Sequence, residues 1–317
     1  MDFETRRRHS NVVAAVSRRK FLAWTGIAAG TLAAGGLWRP APTAFGQLAA
    51  QPAVWNHDPA SPLGPSRWAE IGYPICGSGM SQSPIDIDTR AVRIQSGPAL
   101  ALSYQDSPLE IENTGHVVEV EIPSNITDTL SVGNDTYSLV QYHFHTPSEH
   151  TIDGQAAEVE AHFVHMSALG ATAVVGVLSQ IGDNPNPLLE TILRSASTEP
   201  GDTIDAGEAN PLALFPGVGR ASQAPIQLPT SRAQSAGFSR QANVDSFYSY
   251  DGSLTTPGCT EGVRWFVLTD VGHVSSSAVD DFHQVISLFP DYTGYANNVR
   301  PVQPLNDRMV ALRVAGG

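Results

Sequence analysis

A mainly β fold is predicted: a single domain around a large, mostly antiparallel twisted sheet, with a few short peripheral helices. Three observations predict it. Short runs rich in β-branched and aromatic residues recur along the chain, at Leu109 to Ile122, Leu139 to His145, Glu158 to Met166, Thr172 to Gln180 and Val263 to Asp270. Turn signals such as Gly133-Asn134 and Asp153-Gly154 punctuate them. Helical patterns are few, and with 41% hydrophobic residues in 317 the chain can bury a substantial core.

The first element lies outside that fold. Ser17-Arg18-Arg19-Lys20-Phe21-Leu22 is followed by an Ala/Gly-rich apolar run to Leu37, charge and then hydrophobe, as in an export signal. The paired arginines point to the twin-arginine route. Ala44 and Gly46 make cleavage before Gln47 the expected processing point, with Ala50 as a competing end point, so residues 1–46 are read as signal and 47–317 as the domain. No later stretch reaches the roughly 18 to 20 apolar residues that span a bilayer, so no stable membrane span is expected in the mature chain. Its destination is then periplasmic or secreted. In that setting its two cysteines, Cys76 and Cys259, are expected to form one disulfide.

Charge narrows the partners. The formal net charge is −13, but seven of the 18 basic residues and only two of the 31 acids lie in residues 1–46, leaving the domain at −18. So acidic a body repels polyanions, and no nucleic-acid partner is expected.

Trp55 to Cys76, rich in Pro, Gly and Trp, reads as an irregular segment over the core. The strand runs come next. Pro187 to Arg194, with proline in its first turn, and Ser275 to Leu288 are the helix candidates. Residues 217–243, rich in Ala, Ser, Gln, Pro and Gly without periodicity, read as a surface loop insertion. The chain has no Gly-rich phosphate loop, no Gly-x-Ser-x-Gly elbow and no His-Glu-x-x-His.

The chemistry concentrates in two of the strand runs. Gln141, His143 and His145 alternate along one strand and so share a face, as do Glu160, His162 and Val164 along the next. Antiparallel pairing across the Asp153-Gly154 turn would bring His162 beside the first two histidines. Three neutral imidazoles with one position left open are the ligand set of a catalytic zinc site, whereas structural zinc sites are closed and usually contain cysteine. Gln141 and Glu160 can hold the second ring nitrogens of such ligands.

These segments, with Pro147-Ser-Glu149-His150-Thr151, Ser81-Gln-Ser-Pro-Ile-Asp-Ile87, Ser253-Leu-Thr-Thr-Pro-Gly258 and Arg300-Pro-Val-Gln-Pro-Leu305, resemble the alpha-type carbonic anhydrases in content and order. The similarity runs from about Trp55 to Arg308 and is nearest the bacterial branch. It implies zinc on His143, His145 and His162, and reversible hydration of carbon dioxide to bicarbonate and a proton by water activated on the metal. It further implies that Thr255 orients the nucleophile and donates to Glu149, and that His116 shuttles the proton. Val164, Val174, Leu254 and Trp265, with Thr256 beside them, would form the substrate pocket. Two alternatives stand beside the enzyme: a non-catalytic binding protein of the same fold, and a zinc esterase. Trp55-Asn56-His57 departs from the family's usual Trp-x-Tyr. The sequence leaves the oligomeric state open, a dimer included.

Overall fold

The computed structural model describes residues 54–218, 239–292 and 294–315; the expected signal segment lies outside the described residues, as do residues 219–238 of the expected loop. Fourteen strands form one sheet. In chain order they are β1 (Arg93–Gly97), β2 (Leu100–Tyr104), β3 (Ser107–Asn113), β4 (Val118–Glu121), β5 (Thr129–Val132), β6 (Asp135–His145) and β7 (Val159–Met166). There follow β8 (Thr172–Ile181), β9 (Thr203–Ala209), β10 (Arg240–Val244), β11 (Ser246–Ser253), β12 (Glu261–Leu268), β13 (Gly272–Val274) and β14 (Ala311–Ala315). The spatial order β9-β3-β4-β6-β7-β8-β12-β11-β14-β1 is antiparallel except where β8 meets β12 and β13, and where β14 meets β1.

The expected run from Leu109 to Ile122 is two strands rather than one. Asn113 to Val117 turns the chain, Gly115 taking φ 83°, and β3 and β4 fold into a hairpin. The Asp153-Gly154 turn does not join the histidine strands directly either. Both residues have positive φ and close a small hairpin, Thr151–Ile152 with Gln155–Ala156, in a separate sheet completed by Asp86–Ile87. The unstructured reading of 217–243 fails at its end, because β10 pairs antiparallel with β2. Pro187–Ser195 and Ser276–Ser287 are helices as expected. Asn186 caps the first by accepting from the N–H groups of Leu188 and Leu189, and Ser275 caps the second through Ala278.

Two apolar clusters lie on the sheet. The larger, with Tyr142, Phe144, Phe163, Phe247 and Phe266, receives both helices; the smaller holds Val174, Val263, Trp265 and Val267. A β-bulge divides the duties of β6. Against β7, Gln141 pairs with Val164 but Leu139 pairs with His165, so Val140 is the extra residue. In a regular strand that kept Val140, Leu139, Gln141 and His143 would share a face. With the bulge Leu139, Tyr142 and Phe144 serve the core, while Gln141, His143 and His145 look the other way.

Cys76 and Cys259 are bonded, across 183 residues. The bond ties the segment before β1 to the turn after Thr255, where the Cys259 N–H donates to Thr256 O at 2.9 Å. Replacing both cysteines by serine is expected to cost about 2–5 kcal/mol, read as a lower urea midpoint with a steeper slope, because the unlinked unfolded chain exposes more surface.

Asp128 is fully buried; one carboxylate oxygen accepts from the Gln105 N–H at 2.9 Å and the other has no hydrogen-bond partner. Burial pushes its pKa up to about 6. Because the folded value is the higher one, the stability it contributes is present in acid and lost as pH rises through about 6. Asp128→Asn is therefore expected to stabilise the fold by about 1–2 kcal/mol at pH 8 and by almost nothing at pH 4. Unfolding curves at both pH values check this.

Candidate metal centre

Register alone assembles the centre. His162 on β7 lies directly across from His143 on β6, and Glu160 across from His145. The ring centroids of the three histidines lie 4.6 to 5.3 Å apart, and their ligand nitrogens fall within 4.8 Å of one another.

Each ring is held from behind. His143 Nδ1 lies 2.8 Å from Gln141 Oε1, and His145 Nδ1 lies 2.8 Å from the carbonyl of Asn298. His162 Nε2 lies 3.0 Å from Glu160 Oε1. These contacts fix the tautomers and leave His143 Nε2, His145 Nε2 and His162 Nδ1 for an ion. His145 Nε2 is buried without a hydrogen-bond partner, a cost that a coordinated cation would remove. Burial lowers the pKa of all three, that of His145 to about 4, so the rings are neutral at physiological pH and ready to ligate. The donor set therefore fits zinc.

Glu160 is the hub behind His162. Its carboxylate also takes the backbone N–H groups of Glu149 and His150, at 2.9 and 2.8 Å, and faces His150 Nδ1 at 2.8 Å. Burial alone would raise its pKa, but the charge and hydrogen bonds of His150 and His162 hold it well below the carboxylate range. His150 Nε2 lies 2.7 Å from the Tyr250 hydroxyl, which donates to Ser83 Oγ at 2.9 Å. His150, Tyr250, Ser83 and Asn298 carried no role in the sequence reading. His150 and Ser83 stand inside quoted motifs; Asn298 acts through a backbone carbonyl and has no sequence signal.

Glu149 sits beside the ligands, Oε2 lying 3.7 Å from His145 Nε2 and 3.9 Å from His162 Nδ1. Burial pushes its pKa up to about 7, against the opposing pull of His162, the Arg300 N–H and a hydrogen bond from the Thr255 side chain. Thr255 is thus one of the groups that act on Glu149. Val164, Val174, Leu254 and Trp265 come together in the smaller apolar cluster, with Val164 across from Val174 and Val174 across from Trp265. The Thr256 carbonyl closes the turn to Cys259.

The His116 ring stacks on Trp55, with centroids 3.9 Å apart and planes 11° from parallel. His57 is wholly buried, its Nδ1 bonded to the Tyr292 hydroxyl. Burial first, then the charges of His145 and His116, hold its pKa well below the histidine range, so it is neutral.

One sheet face thus brings together three imidazoles, with no thiolate among them, that could hold a metal ion. The sequence profile of the eukaryotic-type carbonic anhydrase family matches residues 63–314. The chain belongs to that family. It is 33% identical over 268 residues to a carbonic anhydrase of Pectobacterium atrosepticum, covering 84% of this chain and 93% of that one. The solved alpha-carbonic anhydrase of Photobacterium profundum superposes with a TM-score of 0.64 at 32% identity, over 81% of this chain and all of that one. Dioscorin DB3S of Dioscorea polystachya is 32% identical over 256 residues, 79% of this chain and 83% of that one.

Proposed function

We propose that this protein is an exported, zinc-dependent carbonic anhydrase that interconverts carbon dioxide and bicarbonate. The observation that carries the reading is the convergence of His143, His145 and His162 within 4.8 Å, with each ring's other nitrogen against a fixed polar partner. Zinc held there would supply the Lewis acidity that makes water a nucleophile at neutral pH, behaviour for which carbonic anhydrases are the standard example.

The chain's own residues do the rest. Ionised Glu149 can only accept, so it commits the Thr255 hydroxyl proton to itself. The Thr255 oxygen is then left to accept from the attacking group and hold its lone pair toward carbon. Val164, Val174, Leu254 and Trp265 offer carbon dioxide an apolar wall that binds it without hydrogen bonds. His116, whose ring stacks on Trp55, passes the released proton to buffer, imidazole being able to serve as both donor and acceptor of a proton. Export accounts for the Arg18-Arg19 signal and is consistent with the Cys76–Cys259 bond.

Stopped-flow hydration of carbon dioxide, with metal content measured on the same sample and His143→Ala as control, tests this reading. Fast turnover with one zinc per chain, lost in the control, is expected. A zinc-loaded chain without turnover would reject it. His116→Ala is expected to slow kcat by about tenfold or more in dilute buffer, with kcat/KM little changed, and added imidazole should restore the rate.

A further inference from the structure

We propose that the opposite face of the sheet carries a second binding site, for a small organic monocarboxylate with an apolar body. On β11 and β12 the Tyr250 and Trp265 rings face His150 on the metal side. Strand alternation turns Phe247, Ser249, Arg264 and Phe266 the other way. There a cavity of about 400 Å³ opens, lined among others by Phe247, Ser249, Arg264, Phe266, Met309 and Arg313. Its size falls within the range usual for small-molecule sites.

Two guanidinium groups approach one patch of this cavity. Arg313, on β14, lies across from Phe247, and its Nε donates to Ser249 Oγ at 3.3 Å. Ser249 in turn lies across from Phe266, over whose ring the Arg264 guanidinium sits at 5.4 Å.

Their charges are not equivalent. Arg264 is already matched by Asp135, at 2.8 Å, and bonded to Tyr137. Asp251, also in the lining, lies across the strand pair from Arg264. Arg313 makes no ion pair with any described carboxylate. The site therefore has a place for one carboxylate, on the Arg313 fork, where paired N–H donors match its two oxygens. Phe247, Phe266 and Met309 supply the surface for an apolar body. Asp251 and Asp135 disfavour a second negative charge at the far end.

The test is a fluorine NMR titration of the zinc-loaded protein with 4-fluorobenzoate. Saturable binding at millimolar concentration or below is expected, weakened about tenfold or more by Arg313→Gln, less by Arg264→Gln, and unchanged by His143→Ala. The neutral 4-fluorobenzyl alcohol should bind about tenfold more weakly. Unchanged carbon dioxide hydration in Arg313→Gln verifies its fold, and Ser249→Ala, which frees the Arg313 side chain, should also weaken binding. Absence of saturable binding, equal binding by the arginine variants, or binding lost only in His143→Ala would each overturn the proposal. Equal affinity for the alcohol would overturn it too, as would displacement by sulfate at concentrations equal to the probe's.

Discussion

His162→Ala is expected to lower carbon dioxide hydration by more than about a thousandfold and to strip the metal from the purified protein. The ring is the ligand with the most elaborate support, because Glu160 behind it is pinned by two backbone N–H groups and by His150. Those partners survive the substitution, so Glu160 stays satisfied and the fold should persist. Circular dichroism and metal analysis on the same sample separate lost chemistry from lost structure. Wild-type metal content and rate in this variant would refute the ligand assignment. Glu160→Gln offers a graded comparison, since it keeps the ring but weakens its anchor, and metal affinity should fall by about 10–100-fold.

Thr255→Val should leave the metal bound while lowering kcat/KM by about 100-fold or more. Valine nearly matches the shape but carries no hydroxyl, so nothing accepts from the attacking group and Glu149 keeps, among the described residues, only the Arg300 N–H as a donor. Burial already pushes the Glu149 pKa up to about 7, and removing one of the groups that lower it should move the acid higher still. Full zinc content with wild-type kcat/KM would show that Thr255 does not position the nucleophile.

The three histidines that converge were legible because alternation is local: a His-x-His pair and a third histidine on a neighbouring run need only the period of a strand. The switch that returns Leu139 to the core was not, since it depends on the bulge at Val140, in a stretch where Leu139-Val140-Gln141 reads as ordinary strand. The Leu109 to Ile122 run was misread for a related reason. Val117, Val118 and Val120 continue the β-rich composition through a turn whose only strong signal is Gly115. Asn298 escaped because its contribution to His145 is a main-chain carbonyl, which any residue possesses. Tyr250 and Ser83 escaped because their contact with the centre passes through His150, far from both in sequence. The cap residues Asn186 and Ser275, by contrast, mark their helices within a single turn, and both helices were found.

The bulge at Val140 also bears on how such a gene can change. Loss of the Val140 codon would set Leu139 directly beside Gln141 in a regular strand, so Leu139, Tyr142 and Phe144 would keep the core face and Gln141, His143 and His145 the metal face. Relatives one residue shorter at this point should therefore present the same two faces, with less local twist.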